Sequence, residues 1–580
     1  MRKFWSVKCT TLRFVGFVGL VFSLHCAGPK EYTLAPLITE ENDTKSIPKP
    51  EAKDLDVYEE GIENLFGHEI NEATNLSWHI RKISNNHKRA KNLNALDEVP
   101  NSTWFRNRNA HHRMSLEEIK RGPNRGRGPN MDSTMTIIGA KTRGVSAGFL
   151  IEDSRGERYL IKFDRKGFPQ LNTAAEVITT KFVYAAGYNT PENYLTALDP
   201  NQLRVADGLM VEDRWGREVP MKFDYVQMIL DKAHANPDGT YRVVASKLIE
   251  GEPLGPFRFS KTRPDDPNDH VPHHHRRELR GYQVIASWLN NSDAKASNTL
   301  DVYVTENGKS FVRHYMIDFG TSLGSSGYGA AGPGRGHRSA FDFSRTLSKI
   351  LTLGLWVEPW EKAPKSIRPS IGYFDAKLFD PGRFKFIIPN PAFQKATELD
   401  NFWGAKIVMS FTDKQIKAVV ETAEYSNSED EEYLIKTLIK RRDKIGRYWY
   451  GKVNPLDDFH LAQNNNGLNV MHFEDLSVTA GFETAAESYY RYRLGCRGDD
   501  LTDYYISKGH TYLEFNPEIL QEIEKVSRAN SNGKPDDRIF YFEIETKRGD
   551  NGWGKKVRVH FYYPTDSEDQ PRIVALEREN

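Results

Sequence analysis

Between Thr134 and Asp164 the chain reads TMTIIGAKTRGVSAGFLIEDSRGERYLIKFD, three apolar runs alternating with polar positions and broken by glycine turns. Period-two alternation of this kind predicts strands, with Val145–Ile151 and Arg158–Phe163 paired as a hairpin around SRGE. The next stretch, NTAAEVITTKFVYAAG, loses that alternation and predicts a helix, with Asn172 or Thr173 as N-cap and Gly187 as C-cap. FDYVQMIL and YRVVASKLI read as two further strands, leading into EGEPLGPF. A helix is expected over His275–Leu289, followed by LDVYVTENGKSFVRHYMIDFG, a hairpin whose Asn307-Gly308 pair suits a type I′ turn. SEDEEYLIKTLIKRRDKIGRYWY carries helical spacing, and its cationic C-terminal half reads as an amphipathic face with snorkelling side chains. Beyond about residue 465 the alternation returns in DRIFYFEIETKRG, KKVRVHFYYP and PRIVALERE, which predicts antiparallel strands.

These elements describe an α+β chain too long for one core. At 580 residues, two to four domains are expected. The N-terminus carries Arg2, Lys3, Lys8 and Arg13 before a short apolar core, Phe14–Leu24, too short to span a bilayer, for which about 20 residues are needed. It reads as a secretory signal over 1–26, and Cys26 stands where a bacterial lipoprotein is cut and lipidated. Leu24 lies one place too near that cysteine and His25 is larger than the usual neighbour, so lipidation at Cys26, ordinary cleavage and an uncleaved anchor all stay open. Residues 27–56, with prolines at 29, 36, 48 and 50, read as a polar tether, and 57–130, with a helix expected over Glu59–Ile83, as an N-terminal extension ending in KRGPNRGRGPN. Cleavage would leave Cys496 without a disulfide partner, so stability rests on packed cores. The protein is expected outside the cytoplasm, in the periplasm or on the outer-membrane or cell surface, with a membrane link where Cys26 is lipidated.

Composition narrows the function. A net charge of +1 gives no bulk positive field, and nucleic acid is not expected as a partner. HVPHHHRR (His270–Arg277) has adjacent histidines without the spacing that aims imidazoles at one metal, and reads as a solvated loop.

The candidate chemistry lies in four features in chain order. A glycine turn (Gly144, Ser146, Gly148) precedes a strand lysine, Lys162; a helix glutamate, Glu176, follows; then come the loop NNSDAKASN, with Asp293 and Asn298, and the sequence IDFG, with Asp318. Each part suits phosphoryl transfer: backbone amides for phosphate oxygens, a cation fixed by a neighbouring acid, a carboxylate for the attacking hydroxyl, and Asn and Asp oxygens for Mg²⁺. Bland readings stand beside these. Lys162 also fits an edge-strand lysine, Asp318-Phe319-Gly320 a turn, the Asp-to-Asn spacing chance, and Thr173 with Glu176 a helix capping box.

In this order the motifs resemble those of the protein-kinase-like superfamily. The stretch from GVSAGFLIED to AAGYNTPEN is similar to the N-lobes of HipA-type kinases; NNSDAKASN and MIDFG are similar to the catalytic and metal loops of HipA-type, spore-coat CotH-type and phosphoinositide-type atypical kinases. The resemblance implies a two-lobed domain, with a β-rich N-lobe over 131–255 and a helical C-lobe over 256–460, followed by a β-rich domain over 461–580. It implies ATP and Mg²⁺ as cofactors and an unidentified protein or small molecule as acceptor. Lys162 would contact the phosphates and pair with Glu176, Asp293 would act as base, and Asn298 and Asp318 would hold the metal. Gly144 to Gly148 would cover the phosphates, and KLIEGEPL, with Lys247 and Glu250, would pass the adenine. The chain departs from the ordinary pattern: Asn291 and Ser292 replace the usual His-Arg, and no Ala-Pro-Glu follows the DFG. An inactive kinase-like binding module and a nucleotidyl transferase on the same scaffold are alternative readings, and scarce ATP outside the cytoplasm weighs against an active enzyme.

Overall fold

The computed structural model describes residues 32–53, 88–140, 148–212, 217–340, 348–463, 469–530, 535–564 and 570–580. The signal segment with Cys26, the Glu59–Ile83 helix and the turn residues Gly144 and Ser146 lie outside the described residues. The chain is mixed α+β and divides into two units. The larger comprises Leu37–Asp457, Asp475–Ala485 and Arg578–Asn580; the smaller comprises residues up to Pro36, Asp458–Glu474 and Ala486–Glu577.

In the larger unit, β1 (Met135–Ala140), β2 (Gly148–Glu152), β3 (Arg158–Phe163), β4 (Asn193–Leu198), β5 (Leu203–Val205) and β8 (Tyr241–Lys247) form a sheet of order β4-β8-β3-β2-β1-β5. Short strands β6 (Met210–Glu212) and β7 (Glu218–Pro220) pair separately. Along β3 the alternation sends Tyr159, Ile161 and Phe163 into one apolar core with Met135, Ile137, Phe149 and Val243. That leaves Leu160 and Lys162 on the opposite face. FDYVQMIL is the helix α2 (Phe223–Leu230), not a strand. Val226 and Leu230, four residues apart on one helix face, close over the sheet core, and this tertiary burial outweighs the β-like composition.

The helix after β3, α1 (Leu171–Ala185), is buried all round. Its expected caps differ. Gln170 occupies the N-cap position in a left-handed conformation without a side-chain cap. The free amides are satisfied by Asp164 instead, whose Oδ1 accepts from the N–H groups of Asn172 (2.8 Å) and Thr173 (2.9 Å). Thr173 Oγ1 donates to the other Asp164 oxygen at 2.7 Å, so the Thr173–Glu176 capping box does not form and Glu176 is released for another partner.

The Asn-Gly hairpin forms as expected: β10 (Thr299–Glu306) pairs with β11 (Lys309–Met316), with φ of 50° at Asn307 and 74° at Gly308, and β9 (Glu252–Gly255) adds on the other side. The main core gathers α1, α3 (Arg277–Trp288), α4 (Glu398–Met409), α5 (Asp413–Glu421) and α6 (Ser428–Tyr450) around Phe182, Trp288, Phe402 and Leu438. The helices α3 and α4 approach closely at Gly404, where an added Cβ would lie 2.7 Å from the Gly281 carbonyl oxygen.

Three further readings are corrected. HVPHHHRR is not solvated: His273 and His275 are buried, and Arg276 and Arg277 fully so. The loop is clamped by the segment before it, with Lys91 N–H on the His275 carbonyl (2.8 Å) and Arg277 N–H on Asn92 Oδ1 (2.9 Å). Arg277 and Arg280 share Asp400 at 3.1 and 3.0 Å, which lets these charges stay buried. Residues 37–53, read as part of a tether, lie along this unit: Asp43 accepts from the N–H and hydroxyl of Thr103 at 2.8 Å, and Ile47 packs with Leu254 and Val312. Arg441 does not snorkel. Its guanidinium is buried against Phe379 and donates to the carbonyls of Trp288 (2.9 Å) and Asp375 (2.8 Å).

The smaller unit is β-rich. Strands β12 (Leu456–Gln463), β13 (Asn469–Asp475) and β17 (Tyr512–Glu514) form one sheet. A second follows the order β15-β14-β18-β19-β20, with β14 (Ser488–Cys496), β15 (Asp499–Asp500), β18 (Ile539–Arg548), β19 (Lys556–Tyr562) and β20 (Arg572–Arg578), while β16 (Tyr505–Lys508) also pairs with β14. Glu543 sits buried in β18 between Arg493 (2.7 Å), Lys556 (2.9 Å) and Arg558 (2.7 Å). No helix among the described residues is long and apolar enough to cross a membrane.

Candidate functional site

The site begins with the β3 alternation. Lys162, turned from the strand core toward α1, places its amine 3.0 Å from Glu176 Oε2 and 2.8 Å from Asp318 Oδ1. Both Lys162 and Glu176 are buried; Asp318 is about one-third exposed (35%). Burial pulls the Lys162 ammonium downward, but the Asp318 and then the Glu176 charge outweigh it and hold its pKa above the ordinary lysine value. Glu176 is held from its far side by Asn193 Nδ2 at 3.2 Å. Lys162 is therefore no solvent-facing edge lysine, and the strand and helix meet through one ion triad.

Asp318 is placed from the other direction. The residue adopts φ of 60°, an uncommon left-handed conformation that carries backbone strain and recurs at functional sites. Phe319 after it is buried in the main core, and Gly320 lies so close to α1 that a Cβ would meet Asn172 Oδ1 at 2.2 Å and Glu176 Oε2 at 3.2 Å. The backbone of the DFG segment is thus anchored immediately after the carboxylate.

The loop NNSDAKASN joins Asp318 through the backbone: Ile317 N–H donates to the Asn298 carbonyl at 3.0 Å. Asn298 Nδ2 donates to the Asp293 carbonyl at 2.8 Å and lies 3.3 Å from Asp293 Oδ2. Lys295, which the motif reading passed over, pairs with Asp293 Oδ1 at 2.9 Å. Its position two residues after the aspartate was the available signal. Asn291, standing where His would be usual, is buried with Nδ2 on the Tyr282 hydroxyl at 3.3 Å.

Lys162, Glu176 and Asp318 therefore touch, and Asn298 and Asp293 join them through one hydrogen-bonded loop. Gly148 lies directly across the β2–β3 ladder from Lys162. Lys247 does not share that face. It stands opposite Tyr159 in the β3–β8 ladder, on the other side of the sheet from Lys162, and its amine is held by Glu157 at 2.7 Å. Glu250 is exposed in the turn beyond β8.

The donor set fits Mg²⁺ held jointly with phosphate. Asn298 binds through its amide nitrogen, which leaves Oδ1 with no hydrogen bond among the described residues, and its backbone carbonyl accepts from Ile317, the residue before Asp318. Mg²⁺ bound with substrate phosphates needs one or two protein carboxylates. Among the described residues no cluster of three or more His, Cys, Asp or Glu is placed for a metal.

No family model matches the sequence, and no curated protein matches it. Among solved structures the chain is similar to the Helicobacter pylori proinflammatory kinase CtkA, at 14% identity, TM-score 0.28, over 54% of this chain and 95% of that one. It is also similar to the Golgi casein kinase with Mn/ADP bound, at 10% identity, TM-score 0.27, over 57% of this chain and 74% of that one. A further crystal structure of the Golgi casein kinase matches at 11% identity and TM-score 0.27, with the same coverage. At these TM-scores the likenesses carry no functional weight, and the chemistry stands on the chain's own geometry.

Proposed function

We propose that this protein is an ATP-using, Mg²⁺-dependent phosphotransferase of the atypical kinase type, two-lobed and acting on the envelope side of a membrane. The single observation that supports it is the Lys162 amine held between Glu176 (3.0 Å) and Asp318 (2.8 Å), residues from a strand, a helix and a DFG segment. A buried cation fixed by a helix acid is what phosphate positioning requires, and Asp318 with Asn298 offers oxygens for the metal. Bound Mg²⁺·ATP supplies the transferable phosphoryl group and neutralises its charge. The chain's own part is positioning: Lys162 orients the phosphates, Asp293 accepts the proton of the acceptor hydroxyl, and Lys295 holds that carboxylate in place.

The binding-module alternative predicts nucleotide contact without turnover. The intact set of Lys162, Glu176, Asp293, Asn298 and Asp318 favours catalysis. Export and a lipid link at Cys26 belong to this proposal and rest on the N-terminal sequence.

The test is thermal unfolding with Mg²⁺·ATP. A ligand at 100 times its Kd stabilises the native state by about 2.7 kcal/mol. The wild type should show a raised Tm and Asp318→Ala none; the absence of a wild-type shift, or an equal shift in the variant, rejects the nucleotide reading. ADP release with Asp293→Asn as control then separates enzyme from binding module.

A further inference from the structure

Arg335 lies in the glycine-rich run after the DFG, and its guanidinium reaches the loop of the candidate base. Nη1 donates to Ser292 Oγ at 3.2 Å, the residue immediately before Asp293. That is its one hydrogen bond among the described residues, and it forms no ion pair there. The half-buried Arg335 differs in this from Arg263, Arg276, Arg277 and Arg280, each of which meets a carboxylate. Burial disfavours its charge, and the charge of Asp293 is the one that opposes this.

The backbone holds the guanidinium where it is. Lys385 N–H donates to the Gly336 carbonyl (2.8 Å), Ile387 N–H to the Ser292 carbonyl (2.9 Å) and Ala340 N–H to the Ile387 carbonyl (2.7 Å), so one segment staples the arginine run to the base loop. Arg335 lines a small cleft with Asn290, His337, Tyr373 and Arg441. Arg441 forms its wall, with donors committed to backbone carbonyls. Of the carboxylates in the cleft, Asp375 accepts from the Tyr373 hydroxyl (3.1 Å) and Leu378 N–H (3.3 Å), and Asp380 from Gly382 N–H (2.9 Å). Three residues on, exposed Arg338 lies over the Trp360 ring and forms no ion pair among the described residues.

A partly desolvated guanidinium with four open donors, set beside a base, is built to take an oxyanion in a forked contact. We propose that Arg335, assisted by Arg338, is the acceptor-binding subsite, and that the acceptor carries an anionic group, phosphate or carboxylate, close to the hydroxyl presented to Asp293. This rests on the phosphotransfer reading for the acceptor's role, though the anion site itself does not.

The test titrates inorganic phosphate and, separately, malonate into the full chain by calorimetry, with and without saturating Mg²⁺·ADP. Wild type should bind at least one of the two, and the stronger one identifies the oxyanion class. Arg335→Gln should weaken binding at least fivefold and Arg335→Lys should recover part of it, while the Mg²⁺·ATP Kd stays within twofold. Circular dichroism checks that both variants fold. Anion binding that is absent, equal in Arg335→Gln, or abolished by Mg²⁺·ADP overturns the subsite. Arg335-dependent anion binding without any nucleotide shift keeps the anion site and removes its role in phosphotransfer, so the two failures are distinguishable.

Discussion

Replacing Lys162 by methionine removes the one cation between Glu176 and Asp318 while keeping a chain of similar length. Asp318 can turn toward solvent. Glu176 is only 1% exposed, and the remaining partner of its carboxylate among the described residues is Asn193 at 3.2 Å. Breaking a buried pair from one side costs about 3–5 kcal/mol. The variant should therefore be about 3–5 kcal/mol less stable than wild type at pH 7. Urea unfolding followed by tryptophan fluorescence reads this, since Trp104, Trp288 and Trp403 are all buried in the larger unit. Adding Glu176→Gln to the variant should restore most of the loss, which gives a coupling of several kcal/mol in the double-mutant cycle. A deficit below about 1 kcal/mol at pH 7, or strict additivity, would refute the claim that this triad is an electrostatic unit.

Other consequences can be measured separately. Gly320→Ala forces a Cβ to within 2.2 Å of Asn172 Oδ1; it should cost about 1–3 kcal/mol and weaken Mg²⁺·ATP binding, with partial relief in Gly320→Ala/Asn172→Ala. Asp400→Asn leaves Arg277 and Arg280 sharing a neutral partner and should cost about 3–5 kcal/mol in the same urea experiment. In the smaller unit, burial raises Glu543, but hydrogen bonds from Lys556, Arg558, Tyr504 and Arg493 bring it down to about 2. A depressed carboxylate stabilises above its unfolded pKa, and the effect is lost as pH falls through about 4 to 2; Glu543→Gln should cost about 3 kcal/mol at pH 7 and little at pH 2, read by far-UV circular dichroism. Cys26→Ser should move the protein from the membrane pellet to the soluble fraction and abolish palmitate labelling; unchanged partition would remove the lipid anchor from the proposal.

Period two and the Asn-Gly turn were enough to find β1 to β3, the β10–β11 hairpin and the late strands, because those signals are local. They also placed Lys162 on a strand and Glu176 on a helix. The local rule then misled at α1, where Thr173-x-x-Glu176 satisfies a capping box on paper. Asp164, eight and nine residues earlier in sequence, took the amides and Thr173 hydroxyl, and Glu176 was left for Lys162. FDYVQMIL failed for the same kind of reason: its composition allows either element, and the sheet core it covers selected the helix.

Taken alone, the sequence determined which residue types occur in which order, the parity that sets Lys162 against its own strand's core, and the absence of any strong overall charge. Only the tertiary structure decided that residues 156 positions apart meet at 2.8 Å, that His273 and His275 are buried, and that Arg335 faces the base loop without an ion pair among the described residues. The physical reason is range. Backbone geometry and turn propensity act over a few residues, whereas burial and Coulomb energy depend on neighbours that the chain brings together only on folding.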